Sequence, residues 1–135
     1  MQAYRVLVVD DHPDTAEVLS VLFQMLGHET RAALRGREAL QLAREQDPDL
    51  VLLDIGLPDI TGYEVVRALR ADARRPDRFI AAMTGLTRPT DISRALTAGF
   101  DQHILKPIDI AKIRQVLQAA DAYFEQAKQP TRSMA

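Results

Sequence analysis

The chain has 135 residues, no cysteine, and 17 Lys plus Arg against 19 Asp plus Glu, a formal net charge of −2. That length suits one domain with a real core. The missing cysteines exclude disulfides and thiolate metal sites, and the mildly acidic balance argues against a nucleic-acid module, which normally carries a basic excess. No apolar run is long enough to cross a bilayer, and Val6 to Val9 is too short, and too soon followed by two aspartates, for a signal peptide. A cytoplasmic protein without membrane contact is expected.

Residues 5–10 form the first predicted strand, an apolar run ending in Asp10-Asp11. A helix follows from Pro13, which is favoured at the first helical position, with Asp11 or His12 as cap. Its apolar residues Ala16, Leu19, Leu22, Phe23 and Leu26 recur at helical spacing, and Gly27 stops it. Residues 29–33 make a weaker, partly polar strand suited to an edge, and 36–46 a helix with Ala39, Leu40 and Ala43 inward. The third strand, 50–54, is apolar up to Asp54. A loop over 56–62 leads to a helix over 63–71 with Val65, Val66 and Leu69 inward, then a polar stretch over 72–77. A fourth strand, 79–83, is closed by Thr84. A helix over about 90–98 and a strand over 102–105, closed by Lys106, come next. The last helix begins near Asp109, with Ile110, Ile113, Val116, Leu117, Ala120 and Phe124 as its buried stripe. Residues 1–126 read as one domain and 127–135 as a flexible tail.

Five successive βα units predict an α/β fold: a doubly wound five-stranded parallel sheet, flavodoxin-like order 2-1-3-4-5, with helices on both faces. Singly, each polar strand ending has an ordinary explanation, as a helix cap or the start of a turn. Jointly, at the ends of strands one, three, four and five, they put three carboxylates, a hydroxyl and an ammonium on one sheet edge. That set suits a divalent cation and a phosphoryl group. A carboxylate is a poor nucleophile toward an anionic donor, and Mg²⁺, or another divalent cation such as Mn²⁺, removes the repulsion. Mg²⁺ takes oxygen ligands; Asp11 and Asp54 are expected to ligate directly, and Asp10 through water.

The loop Asp54-Ile55-Gly56-Leu57-Pro58-Asp59-Ile60-Thr61-Gly62, together with Asp10, Asp11, Thr84 and Lys106, resembles the receiver (phosphoacceptor) domain of two-component response regulators. The likeness runs from about Arg5 to about Ala120 and is closest in flavour to the receivers of hybrid sensor histidine kinases. It implies that Asp54 accepts a phosphoryl group from the phospho-histidine of a sensor histidine kinase or a histidine phosphotransfer domain. Lys106 and Thr84 would then engage the other phosphoryl oxygens, and the backbone carbonyl of Gly56 would add a metal ligand. Self-catalysed transfer and autodephosphorylation are implied in place of enzymatic turnover. So are a conformational change at the face of helix four, strand five and helix five, and a phosphorylation-dependent homodimer; direct DNA binding is not expected, given the acidic balance. Many relatives carry Tyr or Phe three positions before the Lys; His103 stands there in this chain. Gly56 and Leu86 occupy the two positions that tune phosphoryl lifetime in the family. Neither side chain can guide water, so slow loss is expected.

Other readings are weaker. An aspartyl-phosphate hydrolase of the haloacid dehalogenase kind needs a second Asp two residues after the nucleophile, where Gly56 stands. A degenerate docking module would not keep Asp54, Thr84 and Lys106 together, and no G-x-G-x-x-G follows a strand. Metal ligation by His12 or His103 is disfavoured because no second neutral ligand is spaced suitably. Arg67, Arg70, Arg74, Arg75 and Arg78 read as a solvated face. Phe124 is expected to cover the lower edge of the core. Tyr123, off the buried stripe, is expected to serve self-association or kinase docking.

Overall fold

The computed structural model describes residues 3–85 and 89–128. Its elements are β1 (Arg5–Val9), α1 (Pro13–Met25), β2 (Glu29–Ala33), α2 (Gly36–Gln46), β3 (Leu50–Asp54), α3 (Gly62–Ala71), β4 (Phe79–Thr84), α4 (Pro89–Ala98), β5 (Gln102–Leu105) and α5 (Ile110–Lys128). The strands form one parallel sheet in the expected order β2-β1-β3-β4-β5. Alternation along the strands sorts the core. Leu7, Val9, Val51, Leu53, Ile80 and Ala82 meet Ala39 of α2, Val65 and Leu69 of α3 and Ala95 of α4. Val6, Val8, Leu50, Leu52, Ala81 and Met83 meet Leu19 and Phe23 of α1 and Ile113 and Val116 of α5. Helices on both faces are why the inner strands read as unbroken apolar runs. β2, at an edge, buries only Ala33.

Local chemistry sets the element ends. His12 is the N-cap of α1 but forms no side-chain capping bond. Gly27, at φ 93°, makes the left-handed turn that releases the chain toward β2. Thr61 and Glu64 form a reciprocal capping box at the start of α3. Asp59 caps α2 from across the fold: its Oδ1 accepts from Gly36 N at 2.8 Å and its Oδ2 from Arg37 N at 3.0 Å. Gly62 is required by space, since a Cβ there would lie 2.6 Å from Ile55 Cα and 2.8 Å from the Asp54 carbonyl oxygen.

The arginine-rich stretch is not the solvated face expected from its charge. Only Arg67 and Arg74 are exposed. Arg78 is fully buried at the amino edge of the sheet. Its Nε donates to the Pro48 carbonyl at 2.9 Å, and its guanidinium lies 3.0 Å from Asp47 and 3.4 Å from Asp72. Arg75 bridges Asp47, Asp49 and Asp77, and Arg70 donates to the Gly99 carbonyl and to Asp101. Some acids that answer this basic stretch lie within it, Asp72 and Asp77, and the others, Asp47, Asp49 and Asp101, come from the α2–β3 loop and the residue before β5, distant in sequence but adjacent below the sheet. Asp47 caps α2 at φ 54°, a conformation held by its two guanidinium partners.

Phe124 does cover the lower core edge, with its ring centroid 5.6 Å from that of Tyr4. Tyr123 is not the free interface residue expected of it. α5 extends over the start of β4, so the Tyr123 ring packs edge-on against Phe79 at 5.4 Å and lies half-buried. Leu86 and residues 129–135, the larger part of the expected tail, lie outside the described residues. Among the described residues no helix is long and apolar enough to cross a membrane.

Two outcomes follow from the edges of the sheet. Arg78→Ala leaves a void and strips Asp47 and Asp72 of a buried partner; urea denaturation should show a loss of about 3 kcal/mol. An effect below about 1 kcal/mol would show that the network is ornamental. Burial is the largest influence on the Asp59 carboxyl and works upward, but the N–H bonds from Arg37 and Gly36 outweigh it and lower the pKa from 3.8 to about 2. A depressed folded pKa means stability present above the ordinary value and lost as pH falls through the folded one. Wild type should therefore lose stability between about pH 4 and 2 more steeply than Asp59→Ala, which starts about 1 kcal/mol lower for want of the cap. Parallel pH profiles for the two proteins would refute the assignment.

Candidate functional site

The carboxyl ends of β1, β3, β4 and β5 meet on one edge, and the polar residues that end each run meet there too. Asp10 follows β1 and is 0% exposed, Asp54 closes β3 and is 5% exposed, and Thr84 closes β4 and is 4% exposed. Lys106 follows β5, and its backbone N–H donates to the Thr84 carbonyl at 2.8 Å, so the two strand ends are tied directly. Asp54 is held from below as well. Gly62 can press against its carbonyl, and the Gly62 N–H bonds to the Ile55 carbonyl at 2.9 Å.

Lys106 stands between two carboxylates. Its Nζ is 3.0 Å from Asp54 Oδ2 and 3.2 Å from Asp10 Oδ2. Burial works against its charged form and is the largest single influence. The hydrogen bond and charge of Asp54, followed by the charge of Asp10, outweigh it and raise the Lys106 pKa above its usual 10.5. The ammonium is thus charged through the neutral range. Asp54 Oδ1 accepts from the Gly56 N–H at 3.1 Å, which orients the carboxylate. Asp10 Oδ1 accepts from the His12 N–H at 2.9 Å.

Two lone-pair sites are left over. Asp10 Oδ2 and Asp11 Oδ1 are closed to solvent and receive no well-aligned hydrogen bond. The Lys106 and His12 nitrogens, at 3.2 Å and 3.3 Å, supply proximity without alignment. Ligand atoms from Asp10, Asp11, His12 and Asp54 all lie within 4.8 Å of one another. Buried carboxylate oxygens that lack donors suit a hard divalent cation, so the residues fit the metal that the resemblance implies. A groove of about 590 Å³, lined in part by His12, Val18, Lys106 and Pro107, opens beside the cluster.

The structure therefore brings Asp10, Asp11, Asp54, Thr84 and Lys106 to one edge, with Gly56 in the adjoining loop. His103 is half-buried on β5, opposite Ala82 in register and away from the acidic cluster. His12 lies beside that cluster, next in sequence to Asp10-Asp11. Asp59 was missed entirely, because a cap supplied from a distant loop leaves no local pattern.

Residues 6–118 match the response regulator receiver domain family. The chain is 39% identical over 118 residues to the DNA-binding response regulator MtrA of Mycolicibacterium smegmatis, covering 84% of this chain and 50% of that protein. It is 31% identical over 128 residues to the DNA-binding dual master transcriptional regulator RpaA of Synechocystis, covering 92% of this chain and 53% of that one. Among solved structures, the chemotaxis response regulator CheY4 of Vibrio cholerae matches with a TM-score of 0.83 at 28% identity, over 88% of this chain and 99% of that one. The chain spans about half the length of the curated relatives it matches.

These relatives correct one expectation. The sequence reading excluded direct DNA binding, yet the curated relatives above are named as DNA-binding regulators. Net charge describes only the residues counted, and −2 over this chain says nothing of the other half of such proteins. The hydrolase alternative finds no support in the match, and Gly56 offers no carboxylate where that chemistry needs one. With the family match spanning nearly the whole sheet and the strand order as expected, the chain belongs to the response regulator receiver domain family, whose members act in two-component signalling as phosphoacceptors.

Proposed function

We propose that Asp54 is the phosphoacceptor and that Asp11, Asp54 and the backbone carbonyl of Gly56 hold a divalent cation, Mg²⁺ or Mn²⁺, with Asp10 acting through water. The observation that carries this reading is the Lys106 ammonium poised at 3.0 Å from Asp54 and 3.2 Å from Asp10. An Asp54 oxygen attacks the donor phosphorus, the bond from phosphorus to the leaving group breaks with its electron pair, and an acyl phosphate forms. When bound, the cation supplies positive charge that lets two anions approach. Lys106 passes from the Asp54 carboxylate to a phosphoryl oxygen as a point charge, and the Thr84 hydroxyl donates to another. Because Lys106 N–H is bonded to the Thr84 carbonyl, movement at one strand end is felt at the next. The change then reaches the face of α4, β5 and α5, where Leu96, Leu105 and Ile110 are exposed.

The protein modifies itself and is not a turnover catalyst in this reading; transfer and later hydrolysis both use its own side chains. Gly56 has no side chain to orient an attacking water, which favours slow autodephosphorylation. Residues 1–126 make up the signalling unit and the cytoplasm is its setting, where DNA-binding relatives would meet their DNA.

Incubation with a small phosphodonor such as acetyl phosphate and Mg²⁺ should add one phosphoryl group to the wild type and none to Asp54→Asn. Mass spectrometry that finds the label on another residue would overturn the assignment. Asp11→Asn should bind Mg²⁺ more weakly while keeping its metal-free melting temperature at or above that of wild type, because removing a like charge from a carboxylate cluster relieves repulsion. A clear drop in metal-free stability would instead make Asp11 a structural residue.

A further inference from the structure

Phosphoryl transfer as proposed gives His12 no task, and capping gives it none either, since its side chain forms no capping bond to α1. The ring is nevertheless turned into the acidic cluster. Asp10 Oδ1 accepts the His12 backbone N–H at 2.9 Å and so pins the residue where its Nδ1 lies 3.1 Å from that same oxygen. The same Nδ1 is 3.3 Å from Asp11 Oδ1, and one ligand atom from each of Asp10, Asp11, His12 and Asp54 falls within a 4.8 Å span. Around an octahedral ion with bonds of about 2.1 Å, adjacent ligands are about 3.0 Å apart and opposite ones about 4.2 Å. The two separations from His12 Nδ1, 3.1 Å and 3.3 Å, are close to the edge of one coordination sphere, and the 4.8 Å span of the four groups is slightly wider than its diagonal.

From this geometry, and resting on the cation site proposed above, we infer that His12 supplies a nitrogen ligand through Nδ1. The site is thereby biased from Mg²⁺ toward first-row transition cations, Mn²⁺ and above all Co²⁺, Ni²⁺ and Zn²⁺. Mg²⁺ dehydrates reluctantly and prefers oxygen, whereas imidazole suits the later first-row metals in rising order. The His12 side chain is 69% exposed, so ligation through Nδ1 leaves Nε2–H in water, where it needs no protein partner. The two oxygens that lack aligned donors, Asp10 Oδ2 and Asp11 Oδ1, border the same space. A second neutral nitrogen ligand is unnecessary, because Asp11, Asp54 and the Gly56 carbonyl supply the other direct protein donors and Asp10 acts through water.

The test uses the full chain and three metals. Calorimetric titrations with MgCl₂, MnCl₂ and CoCl₂ are compared for wild type, His12→Ala and His12→Gln. Co²⁺ affinity should fall by about tenfold or more in both variants while Mg²⁺ affinity changes by less than about twofold. Electron spin echo spectra of the Mn²⁺-loaded wild type should carry ¹⁴N modulation that both variants lose. Absence of that modulation in wild type, or equal loss of Mg²⁺ and Co²⁺ affinity, would leave His12 as a mere counter-charge and overturn the inference while sparing the cation site. Undiminished binding of all three metals by Asp11→Asn and Asp54→Asn would overturn the site itself, and the inference with it.

Discussion

The placement of Lys106 between Asp54 and Asp10 is the interaction on which the carboxyl edge depends. Carboxylate oxygens within 4.8 Å of one another repel by roughly 3 kcal/mol at an effective dielectric near 20, and Asp10 is wholly out of water. A sheet that gathers such groups needs a cation among them. Lys106 can serve because β5 pairs with β4 in a register that sets Leu105 opposite Thr84 and delivers the next residue over β3. The same ammonium can let go of Asp54 when a phosphoryl group offers it another anion. Stability of the metal-free state and readiness for chemistry therefore rest on one side chain.

The two edges of the sheet use charge in opposite ways. At the amino edge, Arg70, Arg75 and Arg78 meet carboxylates and carbonyls that satisfy them. Buried guanidinium with this many acceptors locks the strand starts in place. At the carboxyl edge, acids outnumber bases, and lone pairs stay without aligned donors. Unsatisfied groups of that kind are costly in a purely structural role and are what an ion-binding site requires. The division follows from the parallel fold, which brings all strand ends of one sense to one side.

Asp54 must be held precisely enough to meet a donor, and the loop after it does the holding. Gly62 packs against the Asp54 carbonyl, Asp59 reaches to the start of α2, and Thr61 with Glu64 opens α3. Each contact removes a freedom the nucleophile would otherwise lose on reacting. On the other side of the site, the His12 backbone N–H holds the Asp10 carboxylate, and the His12 ring lies among the acids. The residue that starts α1 thus also shapes the space a cation would fill.

Much was settled by the order of residues alone. Short unbroken apolar runs, alternating with stripes of period 3.6, determined the five βα units, and the polar residue ending each run determined which side chains share an edge. Asp10, Asp54, Thr84 and Lys106 were identifiable because strand ends in a parallel sheet are local features. The role of Arg78 was not. A charged residue reads as exposed unless its partners are known, and Asp47 and Asp72 are brought to it by α2, α3 and the sheet together. Tyr123 was misjudged for a similar reason, since helical periodicity gives its direction but not that Phe79 lies there. Asp59 likewise acquired its partners at the start of α2 only through folding. Periodicity reports what a residue's own element does with it; contacts between elements depend on distances that only the packed chain sets.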